Sequence, residues 1–204
     1  MAGTVFALFR LAGAGFVLAR EGAFAGVPLD EVPAGPPRVL LRLSRLVQRK
    51  KTDADAERLT RALNRLGPSY IKLGQFLATR PDLVGAEVAL TLGKLRDEIE
   101  PFPEAEARAT VEKTLGRPVE ALFDTFSPPV AAASISQVHK ASIATEDGER
   151  AVAVKVLRPG IRSRFRRDLD TFYAGARTLE RIDPAARRLR PVAVVDTLAR
   201  SVTI

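Results

Sequence analysis

The feature that most constrains the fold is a change in hydrophobic period near residue 130. Before this point, and again after Gly160, apolar residues recur at the spacing of a helix. Between Val130 and Leu157 they alternate with a period of two, and a turn signal at Glu146-Asp147-Gly148 interrupts the alternation. The chain is therefore predicted to be α+β, with one short antiparallel sheet among helices. The predicted helices span residues 38–51, 53–66, 68–79, 82–96, 104–116, 161–182 and 192–204.

The first 27 residues are apolar but are interrupted by Arg10 and Arg20. The uncharged run between these arginines is shorter than the roughly 18–20 residues that a membrane-spanning helix needs. No basic side chain precedes Arg10, as a secretory signal would require. A helix that lies on a surface or docks onto protein is therefore favoured over a cleaved signal.

The net charge of +8 favours an anionic partner, such as membrane headgroups, nucleic acid or a nucleotide. Part of this charge lies on the predicted helix 38–51, which is basic and amphipathic. Its arginines are Arg38, Arg42, Arg45 and Arg49, and its apolar residues include Leu43, Leu46 and Val47. Two interpretations stay open: contact with a membrane surface through the arginines, or a solvated basic face over a packed apolar one.

Composition excludes several kinds of site. The chain has no cysteine and one histidine, so disulfides, thiolate sites and histidine-based metal clusters are impossible. The lone His139 is predicted to be a packing or rim residue on a strand. A nucleic-acid interface is disfavoured, because Phe165 is the only aromatic residue in the arginine cluster at 158–167 and stacking surfaces need more.

The most informative strand is 151–157, where three valines alternate with Ala153 and Lys155. A lysine in an apolar strand is costly unless its ammonium reaches an anion. A small residue one period away on the same face leaves room for a flat ring beside that cation, as in the V-A-I-K strand of protein kinases. The alternative is a lysine whose stem lies along an edge strand.

A loop of small residues precedes this strand. Ala131, Ala133, Ser136 and Val138 occupy the spacing of the kinase phosphate loop, G-x-G-x-x-G-x-V. Small residues allow the backbone to approach phosphates closely, but alanine lacks the positive-φ freedom of glycine. The loop is therefore expected to be stiffer, and the order of loop, hairpin and lysine strand predicts a phosphate site.

A third motif lies in the predicted helix 68–79. Lys72, Gln75 and Thr79 form one polar stripe, and Gly74 sits in the helix interior. A glycine there costs roughly 1 kcal/mol relative to alanine. The absence of a side chain at Gly74 would allow another part of the chain, or a ligand, to approach the helix closely.

Together these segments resemble the UbiB family of atypical protein-kinase-like ATPases. Lys72-Leu73-Gly74-Gln75, followed by Arg80-Pro81-Asp82-Leu83, is similar to the family's K-x-G-Q signature. Residues 131–139 resemble its alanine-rich loop, and residues 152–160 resemble its lysine strand and exit. The resemblance runs from about Leu66 to Val195.

The resemblance implies a protein-kinase-like fold that uses ATP with a divalent metal, Mg²⁺, and supports ubiquinone biosynthesis at membranes. In that arrangement Lys155 would hold the α- and β-phosphates, and Lys72 and Gln75 would project into the active-site cleft. The implied catalytic residues are Lys72, Gln75 and Lys155, and the implied nucleotide-binding residues are Ala131, Ala132, Ala133, Ser134, Ser136, Val138, Ala153 and Lys155.

The sequence departs from a complete kinase after Lys155, because no H-x-D loop, D-F-G segment or catalytic asparagine follows. We therefore expect a fragment whose metal ligands lie outside the chain and which is inactive alone. Its expected parts are an apolar segment and linker at 1–37, a helical extension at 38–116 and a partial kinase-like small lobe at 117–204, without the large lobe. The expected location is the cytoplasmic face of a membrane, with an anionic membrane surface and quinone-biosynthesis proteins as partners. The alternative is a non-catalytic module that binds a membrane surface.

Overall fold

The computed structural model describes residues 2–30, 32, 34–48, 55–95 and 100–202. These residues fall into two compact units. One unit lies within Met1–Leu95 and Phe165–Ile204, and the other lies within Arg96–Arg164. The α-helices are α1 (Ala2–Glu21), α2 (Pro36–Val47), α3 (Asp55–Leu66), α4 (Pro68–Ala78), α5 (Pro81–Val84), α6 (Ala86–Leu92), α7 (Glu104–Leu115), α8 (Ile161–Ile182) and α9 (Pro191–Ser201). Short 3₁₀ turns lie at Val119–Ala121 and Ala186–Leu189.

The charged residues that interrupt the apolar N-terminal stretch make tertiary contacts in the helical unit. Arg10 of α1 donates from Nε to the hydroxyl of Thr171 in α8 at 3.0 Å. The buried carboxylate of Glu21 accepts hydrogen bonds from Arg61 and Arg65 of α3, both at 3.0 Å. Helix α1 is therefore fixed to its neighbours by polar contacts at its middle and at its C-terminal end. Within the described ranges, no helix is long and apolar enough to cross a membrane.

The core of the helical unit has two parts, both of which use α4. In one, Phe172 and Leu198 are buried and pack with Tyr70 and Leu73 of α4. In the other, Leu63, Leu92 and Leu95 are buried, and Tyr70 and Leu77 pack against them. The K-x-G-Q helix is thus held on two sides by apolar packing.

The helix predicted at 82–96 is divided in the structure. Gly85 has a φ of +82°, a conformation that L-residues with side chains rarely adopt, and its N–H bonds to the carbonyl of Pro81. The chain therefore turns between α5 and α6, and α6 ends at Leu92. The helix predicted at 38–51 ends at Val47, and its residues 49–51 lie outside the described residues.

The second unit contains a three-stranded antiparallel sheet in the order β1-β2-β3. The strands are β1 (Thr125–Ala132), β2 (Ser136–Thr145) and β3 (Gly148–Leu157). Strands β2 and β3 pair without interruption from Ser136–Leu157 to Thr145–Gly148. Strand β1 begins five residues before the predicted alternation, and its register shifts on either side of Pro129. A proline has no backbone N–H to donate to a neighbouring strand, so Pro128 and Pro129 argue against a strand in the sequence. The structure nevertheless contains one here, at the edge of the sheet, where prolines are tolerated.

Helix α7 packs against one face of this sheet. Phe102, Ala107, Val111 and Val119 are buried together with Val156 of β3. Gly116 closes α7 in the left-handed conformation, as its position predicted. The compact unit therefore includes α7, which differs from the predicted boundary after residue 116, because contacts with β3 hold this helix. The α+β class, with a helical N-terminal region and one short antiparallel sheet, is confirmed.

Candidate functional site

The sheet has one covered face and one open face, as the alternation predicted. On the open face, Ala131 of β1 lies opposite Val138 of β2, which lies opposite Lys155 of β3. The three side chains form one row across the sheet, because directly paired residues of antiparallel strands share a face. Ala153 follows on the same face and lies opposite Lys140. Four residues of the implied nucleotide set therefore lie together on the open face.

Lys155 is exposed on this face. None of the described carboxylates forms an ion pair with its ammonium group. The apolar sequence of the strand suggested that the Lys155 ammonium would be buried at a cost in free energy. In the structure this cost does not arise, because β3 is an edge strand and its open face meets solvent. A cation without a carboxylate partner, beside the small Ala153, is free to bind an external anion.

The connection between β1 and β2 is short and internally bonded. The N–H of Ala133 donates to the carbonyl of Ser136 at 2.7 Å, and the N–H of Arg158 donates to the carbonyl of Ile135 at 3.0 Å. Ser134 is 1% exposed and Ser136 is 2% exposed, so both side chains are packed inside the loop. Of the predicted loop residues, Ala131 is exposed and Ala132 and Ala133 are half-buried. In this structure the two serines shape the loop, and the alanines form its surface.

Arg158, the first residue of the arginine cluster at 158–167, makes contacts that hold the small-residue loop and the segment before α7. Its guanidinium lies 5.4 Å from the ring centre of Phe102 and donates to the carbonyl of Glu100. Burial lowers the pKa of Arg158. Its backbone N–H holds Ile135, so the residue after β3 fixes the tip of the small-residue loop. The sequence signal for this role is the Arg158-Pro159-Gly160 turn that follows β3. Gly160 there has a φ of +71°, directly before α8 begins.

The covered face carries a buried polar chain of contacts. The N–H of Phe102 donates to Oε1 of Gln137 at 2.9 Å, so the amide nitrogen of Gln137 faces Nε2 of His139 at 3.0 Å. Nδ1 of His139 lies 2.8 Å from the carbonyl of Ser127, which can only accept. His139 is therefore neutral with its proton on Nδ1, and its ring stacks on Phe126 at 4.6 Å. All the facing groups have partners, which makes this network structural.

Lys72 and Gln75 belong to the helical unit, whereas Lys155 belongs to the sheet unit. The side chains of Lys72 and Gln75 are half-buried on α4, and no described residue forms a hydrogen bond or ion pair with either of them. Gly74, between them in sequence, is buried. A Cβ at Gly74 would lie 2.4 Å from Cδ1 of Leu95 and 2.9 Å from Cδ1 of Leu63. The close approach that this glycine predicted is therefore made by two core leucines.

The segment after α4 is held by a two-point ion pair. Arg80 donates to both carboxylate oxygens of Asp82, from Nε at 2.8 Å and from a terminal nitrogen at 2.7 Å. The hydrogen bond from Arg80 holds the pKa of Asp82 below its ordinary value, and the same bond raises the pKa of Arg80. Thr79, the last member of the predicted polar stripe, caps α4 through its hydroxyl on the carbonyl of Phe76.

The residues on the open face fit the phosphates of a nucleotide. Lys155 supplies a cation that no described carboxylate pairs with, and the small side chain of Ala153 leaves the surface beside it low. A groove of about 770 Å³ runs along the second edge of β3, between α7 and the start of α8. Within the described ranges, no group of three acidic or histidine side chains is placed to hold a metal ion.

The chain is similar to atypical kinase-like proteins. The ABC1 atypical kinase-like domain matches residues 94–204. "Probable protein kinase UbiB" from Marinobacter nauticus is 42% identical over 191 residues, which cover 92% of this chain and 34% of that protein. Proteins of the same name from Shewanella frigidimarina and Shewanella loihica are 44% and 43% identical over 72% and 74% of this chain, and 26% and 27% of their own lengths. The chain thus spans about a third or less of these relatives, and no solved structure matches it significantly.

Proposed function

Because the chain belongs to the UbiB family of ABC1 atypical kinase-like proteins, we propose that its open sheet face binds the phosphates of an adenine nucleotide. We propose further that the chain is the N-terminal part of a longer ATPase. That ATPase would support ubiquinone biosynthesis on the cytoplasmic face of a membrane.

The observation that carries this proposal is the row of Ala131, Val138 and Lys155 across three strands. In this row Lys155 is exposed and lies directly beside Val138, with the small Ala131 on the far strand, at the end of the sheet where the β1–β2 loop is fixed. In this role Lys155 binds and orients the phosphates through a charge-assisted hydrogen bond.

ATP with Mg²⁺ would supply the phosphoryl group and neutralise its charge when bound. The metal ligands would come from outside this chain. We propose that Lys72 and Gln75, which have no bonding partner among the described residues, tune nucleotide selectivity in the complete protein. Their half-buried positions on a well-packed helix suit residues that must hold a fixed direction.

The test begins with the encoding DNA beyond the codon for Ile204. An open frame should continue into acidic metal ligands, and the longer protein should bind a fluorescent adenine nucleotide. Lys155→Ala should weaken that binding by roughly tenfold to a hundredfold, the value of a hydrogen bond to a charged group. Lys94→Ala removes the same charge from an exposed position in the other unit and should change nothing. Equal affinity of the Lys155 variant and the parent protein would exclude the proposal.

A second candidate function, binding to an anionic membrane surface, is favoured by α2. The sequence left open whether its apolar residues pack, and the structure leaves Leu43, Leu46 and Val47 exposed, Leu46 at 81%. Arg38 and Arg45 lie on another side of the helix and bond the carbonyls of Val32 and Val27. The neighbouring α1 exposes further apolar residues, with Phe9 at 72%.

Helix α2 carries no acidic residue, and the carboxylate of Glu21, the one acidic side chain of α1, is buried in ion pairs. Apolar side chains next to arginines, without exposed acids, suit insertion at the headgroup boundary of anionic lipids.

Vesicle flotation tests this second function. The chain should float with vesicles that contain phosphatidylglycerol and should float less with neutral ones. Leu43→Gln combined with Leu46→Gln should abolish flotation. Leu90→Gln, an equally polar change at an exposed leucine of α6, should leave it intact. Equal flotation of the double variant and the parent would show that α2 does not insert.

A further inference from the structure

The helical unit contains an apolar cavity of about 580 Å³. It is lined by small and apolar residues of α1, α4, α8 and α9, among them Ala14, Leu73, Gly175 and Val194. Its volume lies within the roughly 300–1,000 Å³ of typical ligand sites. An open space with mainly apolar walls favours apolar molecules, because its walls offer dispersion contacts and few hydrogen bonds to water. The chemistry of the lining therefore selects an apolar chain.

A second cavity of about 300 Å³ adjoins the first. The linings of the two share Leu83, Leu189 and Val194, so the apolar space and the polar space lie next to each other. The second cavity is lined by Arg80, Arg188 and Arg190, with Asp82 as its one acidic residue.

The charge of this second cavity is not cancelled. The carboxylate of Asp82 is held by both donor groups of Arg80 at 2.7 and 2.8 Å. Arg188 and Arg190 are exposed, and no described carboxylate pairs with either of them. An apolar cavity next to an uncompensated pair of arginines is complementary to a molecule with an apolar chain and an anionic head.

We propose that this two-part space binds a single-chain anionic amphiphile, with its chain in the apolar cavity and its head at Arg188 and Arg190. The site lies wholly within the helical unit and is independent of the proposed nucleotide site on the sheet. Helix α4 forms one wall through Tyr70, Leu73 and Leu77, so the K-x-G-Q helix would contact the bound chain on the side that carries its apolar residues.

Two glycines of α1 provide a matched test. Gly15 lines the apolar cavity, and a Cβ added there would meet no atom within 4 Å. The Cβ of Gly15→Leu therefore enters open space, its further atoms occupy part of the cavity, and a helix-weakening glycine is removed. Gly13 lies in the same helix, is exposed and has equally free space around its Cα, but does not line the cavity. Gly13→Leu is thus the control for any effect on α1 itself.

The experiment measures binding of dodecyl phosphate to the 204-residue chain by calorimetry, with every amphiphile kept below its micellar concentration. Dodecyl maltoside has the same chain without charge, and inorganic phosphate has the charge without a chain. Dodecyl phosphate should bind saturably at one site and more tightly than either probe. Gly15→Leu should weaken it by about tenfold, the value of displacing about two methylene groups, while Gly13→Leu should not.

Arg188→Gln should weaken binding by about threefold, as expected for an exposed ion pair. Arg181→Gln, an exposed arginine at the end of α8 outside both cavities, should leave it unchanged. Lys155→Ala should also have no effect, which separates this site from the nucleotide proposal. Equal affinities for dodecyl phosphate and dodecyl maltoside, equal effects of the two glycine variants, or binding to anionic vesicles alone would each overturn the proposal.

Discussion

The two faces of the three-stranded sheet are built from the same strands but differ in how their polar groups are satisfied. On the covered face, Gln137 and His139 bond to each other, to the N–H of Phe102 and to the carbonyl of Ser127. On the open face, Lys155 has no partner among the described residues. Buried polar groups with full partners stabilise a fold, whereas an exposed cation without one is available to a ligand. The comparison separates a structural histidine from the lysine that we propose as a phosphate-binding residue.

Helix α4 repeats this contrast on a smaller scale. Its buried side carries Gly74, which the leucines at 63 and 95 approach closely, and its other residues Lys72 and Gln75 make no described bond. In both elements one side is fixed by packing, and the polar side chains on the other side have no bonding partner among the described residues.

The largest expected effect is on the covered face. His139→Ala removes a buried ring and leaves the Gln137 amide and the Ser127 carbonyl unpaired, so the free energy of unfolding should fall by about 3 kcal/mol. Chemical denaturation measures this value. Lys140→Ala, on the open face of the same strand, should change it by less than about 0.5 kcal/mol. Similar losses for the two variants would contradict the distinction between the faces.

The next effect is at the buried side of α4. Gly74→Ala places a methyl group against the leucines at 63 and 95, and the overpacking should outweigh the gain in helix propensity. The net loss of stability should be about 1–2 kcal/mol. Gly93→Ala is the control, because a Cβ there meets only backbone oxygens at 3.4 Å. An increase in the unfolding free energy of the Gly74 variant would mean that the two leucine side chains move aside at little cost. The glycine would then not be required for their close packing.

A steric change on the open face sharpens the comparison further. Ala153→Leu should leave the unfolding free energy unchanged, since the side chain points to solvent. It should weaken nucleotide binding by about tenfold in the longer protein, because the added atoms fill the space beside Lys155. Ala151→Leu makes the same change two residues earlier on the strand. If both variants bind nucleotide with the affinity of the parent protein, the nucleotide does not bind against the surface at Ala153.

The smallest effect concerns the exposed pair of Arg80 and Asp82. The hydrogen bond from Arg80 lowers the pKa of Asp82, so Arg80→Gln should return that pKa towards its ordinary value. Because the folded pKa of Asp82 is the lower one, the pair contributes stability above the unfolded pKa of Asp82, and the contribution is lost as pH falls through the folded pKa. Proton NMR titration of the Asp82 carboxyl measures the shift. An unchanged pKa would show that another group holds the carboxylate.

Sequence reasoning predicted the parts of the fold that depend on local pattern. The alternation placed Val154 and Val156 on one face and Ala153 and Lys155 on the other, and the structure confirms this arrangement. Gly116 marked the end of α7 because its local chemistry alone decides the turn. The lysine strand and the small-residue loop also lie adjacent in space, because a hairpin joins them.

The parts that depend on distant contacts could not be predicted. The helix predicted at 82–96 ran through Gly85, because the positive φ that breaks it there is not visible in the sequence. The burial of Ser134 and the role of Arg158 depend on a hydrogen bond between the loop tip and the exit of β3. The two-part cavity is formed by helices far apart in sequence, so no single segment carries its signature.

Strand β3 has one edge paired with β2, and no described strand pairs with its other edge. A free edge offers a row of backbone donors and acceptors to any extended chain, including the same strand of another molecule. The chain studied alone is therefore expected to self-associate as its concentration rises, and its net positive charge opposes this contact. High salt, which screens that charge, should promote association, and a charged residue placed inward on β3 should prevent it. For anyone preparing this chain, the condition of the β3 edge will determine the usable range of salt and concentration.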